Sequence, residues 1–160
     1  MSIEKVKEYL KQFGKENDIK EMGESTATVP LAAQALGVIE ARIAKSLSLK
    51  KDDNAIIIVV AGDAKIDNRK YKDKFGVKAK MLKFDEALEF TGHAVGGVCP
   101  FALPEDVKVY LDDSMKRFDT VFPACGSANS AIELTMEELE RYASNFSGWV
   151  DVCKLPQEEA

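Results

Sequence analysis

The chain has 160 residues and a formal net charge of −5, and 46% of its residues are hydrophobic and 31% charged. This composition excludes a disordered chain, and the acidic balance argues against a protein that coats nucleic acid generally. The first ten residues are too charged for a secretory signal, and the longest apolar run, residues 55–61, is too short to span a membrane.

The three cysteines are widely spaced and form no CxxC pair, so neither a disulfide framework nor a zinc ribbon is predicted. The sequence also contains no P-loop and no dinucleotide-binding fingerprint. We therefore expect a single cytoplasmic domain over residues 1–160, with reduced thiols, no metal, no cofactor and no membrane association.

The chain is predicted to begin with two helices. Ser2 can cap the first helix, whose apolar residues recur on one face, and Gly14 can end it. A short extended piece follows at residues 19–22. Thr28 can cap the second helix, which has a proline in its first turn and Gly37 just past its end.

Two strands are predicted next. Residues 41–49 alternate apolar with small or polar side chains, and Lys45 lies near the middle of this strand. Residues 55–61 form a continuous, mostly β-branched run, which is typical of a strand buried on both faces. This second strand is therefore predicted to be the centre of a sheet.

The remaining elements alternate irregularly. Asp67 can cap a basic helix that ends near Gly76, and residues 85–90 form another short helix. Thr135 can cap a last helix. Three further strands are predicted at residues 107–111, 119–124 and 131–134. Because strict βαβ alternation is absent, we predict an α+β fold with a mixed, partly closed, barrel-like sheet and surrounding helices.

Charge is unevenly distributed along the chain. Residues 65–83 carry eight basic side chains against two acidic ones, whereas residues 133–160 carry seven acidic side chains against two basic ones. The basic segment can hold a polyanion at one place, or it can be an ordinary solvated surface. Both interpretations stay open at this point.

The stretch HAVGGVCPF, residues 93–101, contains the only histidine of the chain. His93 and Cys99 could form a nucleophilic dyad, but no third orienting group and no cysteine-protease signature accompany them. A zinc site built from the histidine and the cysteines lacks paired ligand spacing. A small packed side chain is the leading interpretation of Cys99.

The glycines of this stretch allow another chemistry. Gly96 to Pro100 forms a tight GxxxP turn, and its backbone N–H groups could bind an ester oxygen. The alternative is a plain hairpin or bulge. Lys45 likewise has two interpretations, since it either points to solvent or lines a cavity and binds a phosphate or carbonyl.

An ordered series of motifs over residues 20–142 resembles one known family, the YbaK/prolyl-tRNA synthetase-associated domain family. The motifs are STATVPLAAQALGV, ARIAKSLSL, VVAGDAKID, FTGHAVGGVCPF, VYLDDSM and ACGSANSAIEL. Each motif is weak alone, whereas the ordered set is specific. The resemblance implies a free-standing trans-editing deacylase, which hydrolyses the ester that joins a wrong amino acid to tRNA, typically tRNA(Pro).

The resemblance also implies the site residues. Lys45 and the loop with Gly96 and Pro100 match the functional core of the family, which uses no side-chain nucleophile. The cavity for the terminal adenosine and aminoacyl group is expected at Met22, Thr28, Ser46, Gly62, Asp63, His93, Gly97, Gly126 and Ser127. Lys70, Lys72 and Lys74 of the basic segment are the expected tRNA contacts.

The resemblance leaves the aminoacyl group open. Members specific for cysteinyl-tRNA carry an aspartate where this chain has Ala131. Alanyl or another small aminoacyl ester is therefore as possible as cysteinyl, because pocket volume discriminates among small side chains. The expected partners are aminoacyl-tRNA and prolyl-tRNA synthetase. The alternative is a non-catalytic module of the same fold that recognises an aminoacyl or nucleotide ligand, or a synthetase.

Overall fold

A computed structural model describes residues 2–156 of the chain. Within this range there are five α-helices, which are α1 (Ser2–Lys11), α2 (Val29–Leu36), α3 (Asn68–Phe75), α4 (Phe84–Thr91) and α5 (Met136–Tyr142). The first five strands are β1 (Lys20–Glu21), β2 (Ile43–Lys51), β3 (Asn54–Ala61), β4 (Lys65–Ile66) and β5 (Lys108–Asp112). The other five are β6 (Thr120–Pro123), β7 (Ser130–Ala131), β8 (Leu134–Thr135), β9 (Phe146–Val150) and β10 (Cys153–Lys154).

Six of these strands form one mixed sheet, which curls into a half-barrel in the order β8-β6-β2-β3-β5-β9. The β2–β3 and β6–β8 pairs are antiparallel, and the other three neighbouring pairs are parallel. The two remaining pairs, β1–β7 and β4–β10, are short and antiparallel. The predicted α+β class with a mixed, partly closed sheet is confirmed.

The strand β3 is the centre of the hydrophobic core. Its residues from Ala55 to Ala61 are all buried, as the continuous apolar run predicts. The helix α1 covers this core through Val6 and Leu10, which are fully buried. No helix within residues 2–156 is long and apolar enough to cross a membrane.

Most helix boundaries follow from local capping chemistry. The hydroxyl of Thr28 accepts a hydrogen bond from the N–H of Leu31, and Gly37 adopts the left-handed conformation just past the end of α2. The carboxylate of Asp67 caps α3 by accepting two backbone N–H bonds. Thr135 forms a capping box with Glu138 at the start of α5.

Two local expectations are wrong, and one strand of the main sheet was not predicted. Ser2 lies inside α1, and its hydroxyl bonds the side chain of His93 instead of capping the helix. Residues 131–134 are not one strand, because Ser130–Ala131 pair with β1 whereas Leu134–Thr135 pair with β6. β9 was not predicted, because its short sequence FSGWV shows no regular alternation of apolar and polar residues.

Candidate active site

A cavity of about 440 Å³ lies beside β2. Its walls come from five parts of the chain, namely residues 26–32, 43–48, 81–82, 95–98 and 122–131. Most of the lining side chains are small or apolar, and a few are polar. This size and composition are typical of a site for a small organic ligand.

Four of the predicted site residues line this cavity, namely Thr28, Lys45, Ser46 and Gly96. Lys45 is half-buried in β2, opposite Val60 of β3, and its ammonium group donates to the carbonyl of Ala64 at 3.2 Å. Burial lowers the pKa of Lys45. Of the two interpretations of Lys45, the structure therefore agrees with a lysine that lines a cavity.

Two hydroxyls in the cavity wall have no hydrogen-bond partner within residues 2–156. They are Thr26 Oγ1 and Ser46 Oγ, and both atoms are buried. Thr26 is only 7% exposed. An unpaired buried hydroxyl costs free energy of roughly 1–3 kcal/mol, so these two atoms point to a ligand that completes their bonds.

The glycine-rich loop approaches two other segments closely. A Cβ on Gly97 would lie 2.7 Å from the carbonyl carbon of Gly126, and one on Gly96 would lie 3.3 Å from Cβ of Ala27. Gly96 also has a φ of +96°, which side-chain-bearing residues rarely adopt. Glycine is therefore required at both positions.

The backbone amides of this loop are only partly used. The Gly97 N–H donates to the carbonyl of Ala94 at 2.9 Å. Neither Gly96 N–H nor Val98 N–H bonds another group among the described residues, and both residues line the cavity. Two free main-chain donors beside a cavity can stabilise a developing oxyanion.

The loop around Gly126 is held by the segment before α2. Met22 N–H donates to the carbonyl of Asn129 at 2.7 Å, and Thr26 N–H donates to the carbonyl of Ala128 at 2.6 Å. The hydroxyl of Ser127 contacts that of Ser130, which lines the cavity. The predicted residues Met22, Gly126 and Ser127 thus lie behind the lining and position it.

Pro100 also lies outside the lining, where it is buried and its carbonyl accepts the Ser144 N–H at 2.7 Å. Gly62 packs so closely on the carbonyl oxygen of Glu40 that a Cβ would meet it at 2.1 Å. The Asp63 carboxylate forms a two-bond ion pair with Arg117, at 2.6 and 3.1 Å. These three predicted residues are therefore placed to shape and support the site, and do not face its cavity.

His93 is fully buried and does not line the cavity, contrary to the expected pocket-wall position. Its Nε2 lies 2.8 Å from the carbonyl oxygen of Phe101, and its Nδ1 contacts the Ser2 hydroxyl. A carbonyl accepts only, so Nε2 carries the proton and Nδ1 accepts. Burial lowers the pKa of His93, which favours this neutral ring.

Cys99 does lie beside the histidine, with Sγ 3.5 Å from Nε2. This nitrogen is protonated, however, so it cannot accept the proton of the thiol. Burial raises the pKa of Cys99 to about 12, so the thiolate is scarce at neutral pH. The pair fits internal packing better than nucleophilic catalysis.

The described residues contain no group of three or more His, Cys, Asp or Glu side chains that could hold a metal ion.

In the basic segment, Lys72 and Lys74 are exposed on α3, whereas Lys70 pairs with Asp151 at 3.2 Å and with the carbonyl of Cys153. Lys70 is therefore the least available of the three predicted tRNA contacts.

Sequence reasoning missed several lining residues. Ser130 reaches the cavity from β7, and Met81 and Val95 flank α4. Thr26 lies within the segment from Met22 to Thr28 that the resemblance implied, but it was not named as a site residue. Met81 and Val95 carried no signal, because an isolated apolar residue near a loop looks like ordinary surface.

Comparisons with known proteins point to one family. Residues 23–142 match the family described as the aminoacyl-tRNA editing domain. The uncharacterized protein YwhH of Bacillus subtilis (strain 168) is 56% identical over 155 residues, which cover 96% of this chain and 98% of that protein. A proposed Cys-tRNA(Pro)/Cys-tRNA(Cys) deacylase, EbsC of Enterococcus faecalis, is 25% identical over 109 residues, or 67% of this chain and 66% of that protein.

A solved structure shares the fold. The crystal structure of a proposed trans-editing enzyme for prolyl-tRNA synthetase superposes with a TM-score of 0.82 at 27% identity. The superposition covers 96% of this chain and 97% of that one.

Proposed function

Because the chain belongs to the aminoacyl-tRNA editing domain family, we propose that it is a trans-editing hydrolase that deacylates mischarged aminoacyl-tRNA. The proposed substrate is tRNA(Pro) that carries a small amino acid such as cysteine or alanine. One observation supports this function above the others: the half-buried Lys45 lines the same cavity as Gly96 and Val98, whose backbone N–H groups have no partner among the described residues. We also propose that the protein acts in the cytoplasm and associates with prolyl-tRNA synthetase.

The proposed reaction needs no side-chain nucleophile. Water attacks the ester carbonyl carbon, the bond between that carbon and the ribose oxygen breaks, and the ribose oxygen takes up the proton. The amides of Gly96 and Val98 stabilise the negative charge that develops on the carbonyl oxygen. A single donor of this kind contributes about 10²- to 10³-fold to the rate in other enzymes.

Lys45 is proposed to position the tRNA end, through a phosphate or a carbonyl oxygen. A lysine is suited to this task because its ammonium group is a compact charge on a flexible stem. Its bond to the Ala64 carbonyl aims the amine in the free protein, and partial burial strengthens its attraction for an anion.

The choice of a small amino acid rests on the cavity lining and on the relatives. Ala27, Ala44 and Ala131 contribute only methyl groups to the lining, so this part of the wall offers van der Waals contact to a small apolar side chain and no charged partner to a polar one. The names of the EbsC relative and of the solved trans-editing enzyme support cysteinyl esters and a link to prolyl-tRNA synthetase. A pocket of this kind discriminates by about 1–3 kcal/mol for each methylene.

The exposed lysines of α3 are the proposed contacts to the tRNA backbone. Replacing Lys70, Lys72 and Lys74 together by glutamine should weaken tRNA binding. The slope of log affinity against log salt concentration should also become shallower, by about one unit for each phosphate that is no longer neutralised. Lys108→Gln, an exposed lysine on β5, is the matched control. An unaltered slope would return this segment to the solvated-surface interpretation.

The decisive experiment measures the release of radiolabelled amino acid from a panel of mischarged tRNAs. The wild-type protein should shorten the lifetime of at least one ester, and Lys45→Ala should remove this activity. Lys50→Ala is the matched control, because Lys50 lies in the same strand and outside the cavity lining. Unchanged ester lifetimes with binding retained would refute the hydrolase and favour the non-catalytic module.

A further inference from the structure

An exposed apolar surface adjoins the cavity. We call it the apolar rim, and it consists of Met81, Phe84, Leu88 and Val95. Phe84 is 73% exposed, the largest exposed fraction among the large hydrophobic side chains of residues 2–156, and the other three are all about half exposed. A group of such side chains on one surface usually marks a binding site.

The backbone holds the rim at the mouth of the cavity. The segment before α4 runs along β2, since the Lys50 N–H donates to the carbonyl of Lys80 at 2.8 Å and the Leu82 N–H donates to that of Ser48 at 3.0 Å. Met81 and Val95, which precede and follow α4, both line the cavity. The helix that carries Phe84 therefore lies between two segments of the chain that line the cavity.

Phe84 and Leu88 are exposed on the same face of α4. They are four residues apart, so their side chains are neighbours along the helix. The opposite side of α4 packs on the protein through Ala87 and Thr91, which are fully buried. The exposure of Phe84 therefore does not come from a poorly packed helix.

Three lysines lie immediately before Phe84 in the chain. Lys78, Lys80 and Lys83 are exposed, and none of them forms an ion pair with another described residue. In α4 itself, Asp85 and Glu89 form an acidic stripe next to the apolar face. A negatively charged ligand over Phe84 is thus directed towards the lysines and away from the rest of α4.

We propose that Phe84 is a stacking platform for the unpaired nucleotides that precede the terminal adenosine of the aminoacyl-tRNA. Met81 extends the platform to the cavity, and Lys80 and Lys83 bind the adjoining phosphates. An exposed aromatic ring with interspersed lysines is the combination that binds single-stranded nucleic acid without base specificity. This inference rests on the proposed function, because it places the aminoacyl end of the same strand in the cavity.

The size of the cavity supports this arrangement. A volume of about 440 Å³ is enough for one small ligand and not for a strand of several nucleotides. The nucleotides before the terminal one must therefore cross the edge of the cavity, and the rim is the apolar part of that edge. A protein partner would also cover apolar surface, but it would not require the three exposed lysines that precede Phe84 in the chain.

The test uses two non-hydrolysable probes that carry an amide-linked amino acid, the one released fastest in the deacylation panel. One probe is 3′-aminoacylamino-adenosine, and the other is an RNA tetranucleotide that ends in the same group. Phe84→Ala should weaken binding of the tetranucleotide about tenfold, or about 1.4 kcal/mol, and change binding of the single nucleoside less than twofold. Phe84→Trp should restore the affinity, because the indole retains a stacking face.

Two controls separate stacking from general effects. Ile39→Ala removes a side chain that is 62% exposed and lies outside the cavity lining, and it should leave both affinities unchanged. Replacing Lys80 and Lys83 by glutamine should flatten the salt dependence for the tetranucleotide, whereas Lys108→Gln should not.

Each contrary result has a distinct meaning. Equal binding of the tetranucleotide by wild type and Phe84→Ala would overturn the inference and leave the rim as a protein-docking surface. Equal losses for both probes would also overturn it, since the cavity itself would then be altered. If the wild-type protein neither deacylates any tRNA of the panel nor binds either probe, the proposed function fails, and this inference fails with it.

Discussion

Gly97→Ala tests whether the backbone of the glycine-rich loop performs the chemistry. The added Cβ would lie 2.7, 2.8 and 2.9 Å from three main-chain atoms of Gly126 and Ser127. Ordinary carbon contacts begin near 3.4 Å, so the two loops must separate by about 0.7 Å. Main-chain atoms cannot rotate away as the end of a flexible side chain can, and the free amides of Gly96 and Val98 must move with Gly97.

The expected effect has two parts. A displacement of about 1 Å at a reacting centre can cost about 10²-fold in rate, so kcat for deacylation should fall by about 10- to 100-fold. Overpacking at a buried contact should lower the free energy of unfolding by about 1–3 kcal/mol. In a chain of this length, that loss lowers Tm by roughly 2–4 °C per kcal/mol, so thermal denaturation shows directly whether the variant is folded at the assay temperature.

The assay compares single-turnover deacylation and thermal denaturation of wild type, Gly97→Ala and Gly23→Ala. Gly23 is the matched control, because a Cβ there meets no atom within 4 Å and its backbone is not left-handed. Gly23→Ala should match wild type in both measurements. A folded Gly97→Ala variant with the wild-type kcat would refute the role of the loop amides.

Three further predictions concern buried polar groups. Cys99→Ser should retain deacylation, because a thiol with a pKa of about 12 is not the nucleophile; loss of activity in a folded variant would contradict this. Thr26→Val and Ser46→Ala should each raise Tm, because each removes an unpaired hydroxyl that costs about 1 kcal/mol. Each should also raise KM, because the substrate loses a hydrogen-bond partner. A lower Tm for both variants would show that the hydroxyls are paired in the free protein. The pKa of His93 in the folded protein lies below 6.5, so the unfolded chain binds the proton first. The free energy of unfolding should therefore decrease as pH falls below about 6.5. NMR titration of this single histidine should give a pKa below 6.5, and a value at or above 6.5 would contradict the burial argument.

Much of the fold could be predicted because its signals are local. Thr28, Asp67 and Thr135 cap helices through bonds to residues two or three positions away, so the sequence window contains both partners. The buried run of β3 carries its own signal in the same way. The split of residues 130–135 into two short strands was missed, because their partners are more than 10 residues away in the chain.

The candidate site also combines residues that the sequence could indicate with contacts that only the structure shows. The glycine turn and the lysine in an apolar strand each left two interpretations open, and it was the family resemblance that implied Gly96 and Lys45 as site residues without a side-chain nucleophile. The sequence could not tell a buried His93–Cys99 contact from a reactive one. Only the surroundings of these two side chains decide that, through burial and through the carbonyl of Phe101, which accepts a hydrogen bond from Nε2–H.

By itself, the sequence determined most helix ends, the central strand and the family, because each depends on neighbouring residues or on an ordered series of motifs. Tertiary structure alone decided which side chains face the cavity. It placed Ser130, Met81 and Val95 there and moved His93 and Asp63 away. The physical reason is that the walls come from five distant segments, and the sheet register and the close approach of Gly97 to Gly126 bring them together.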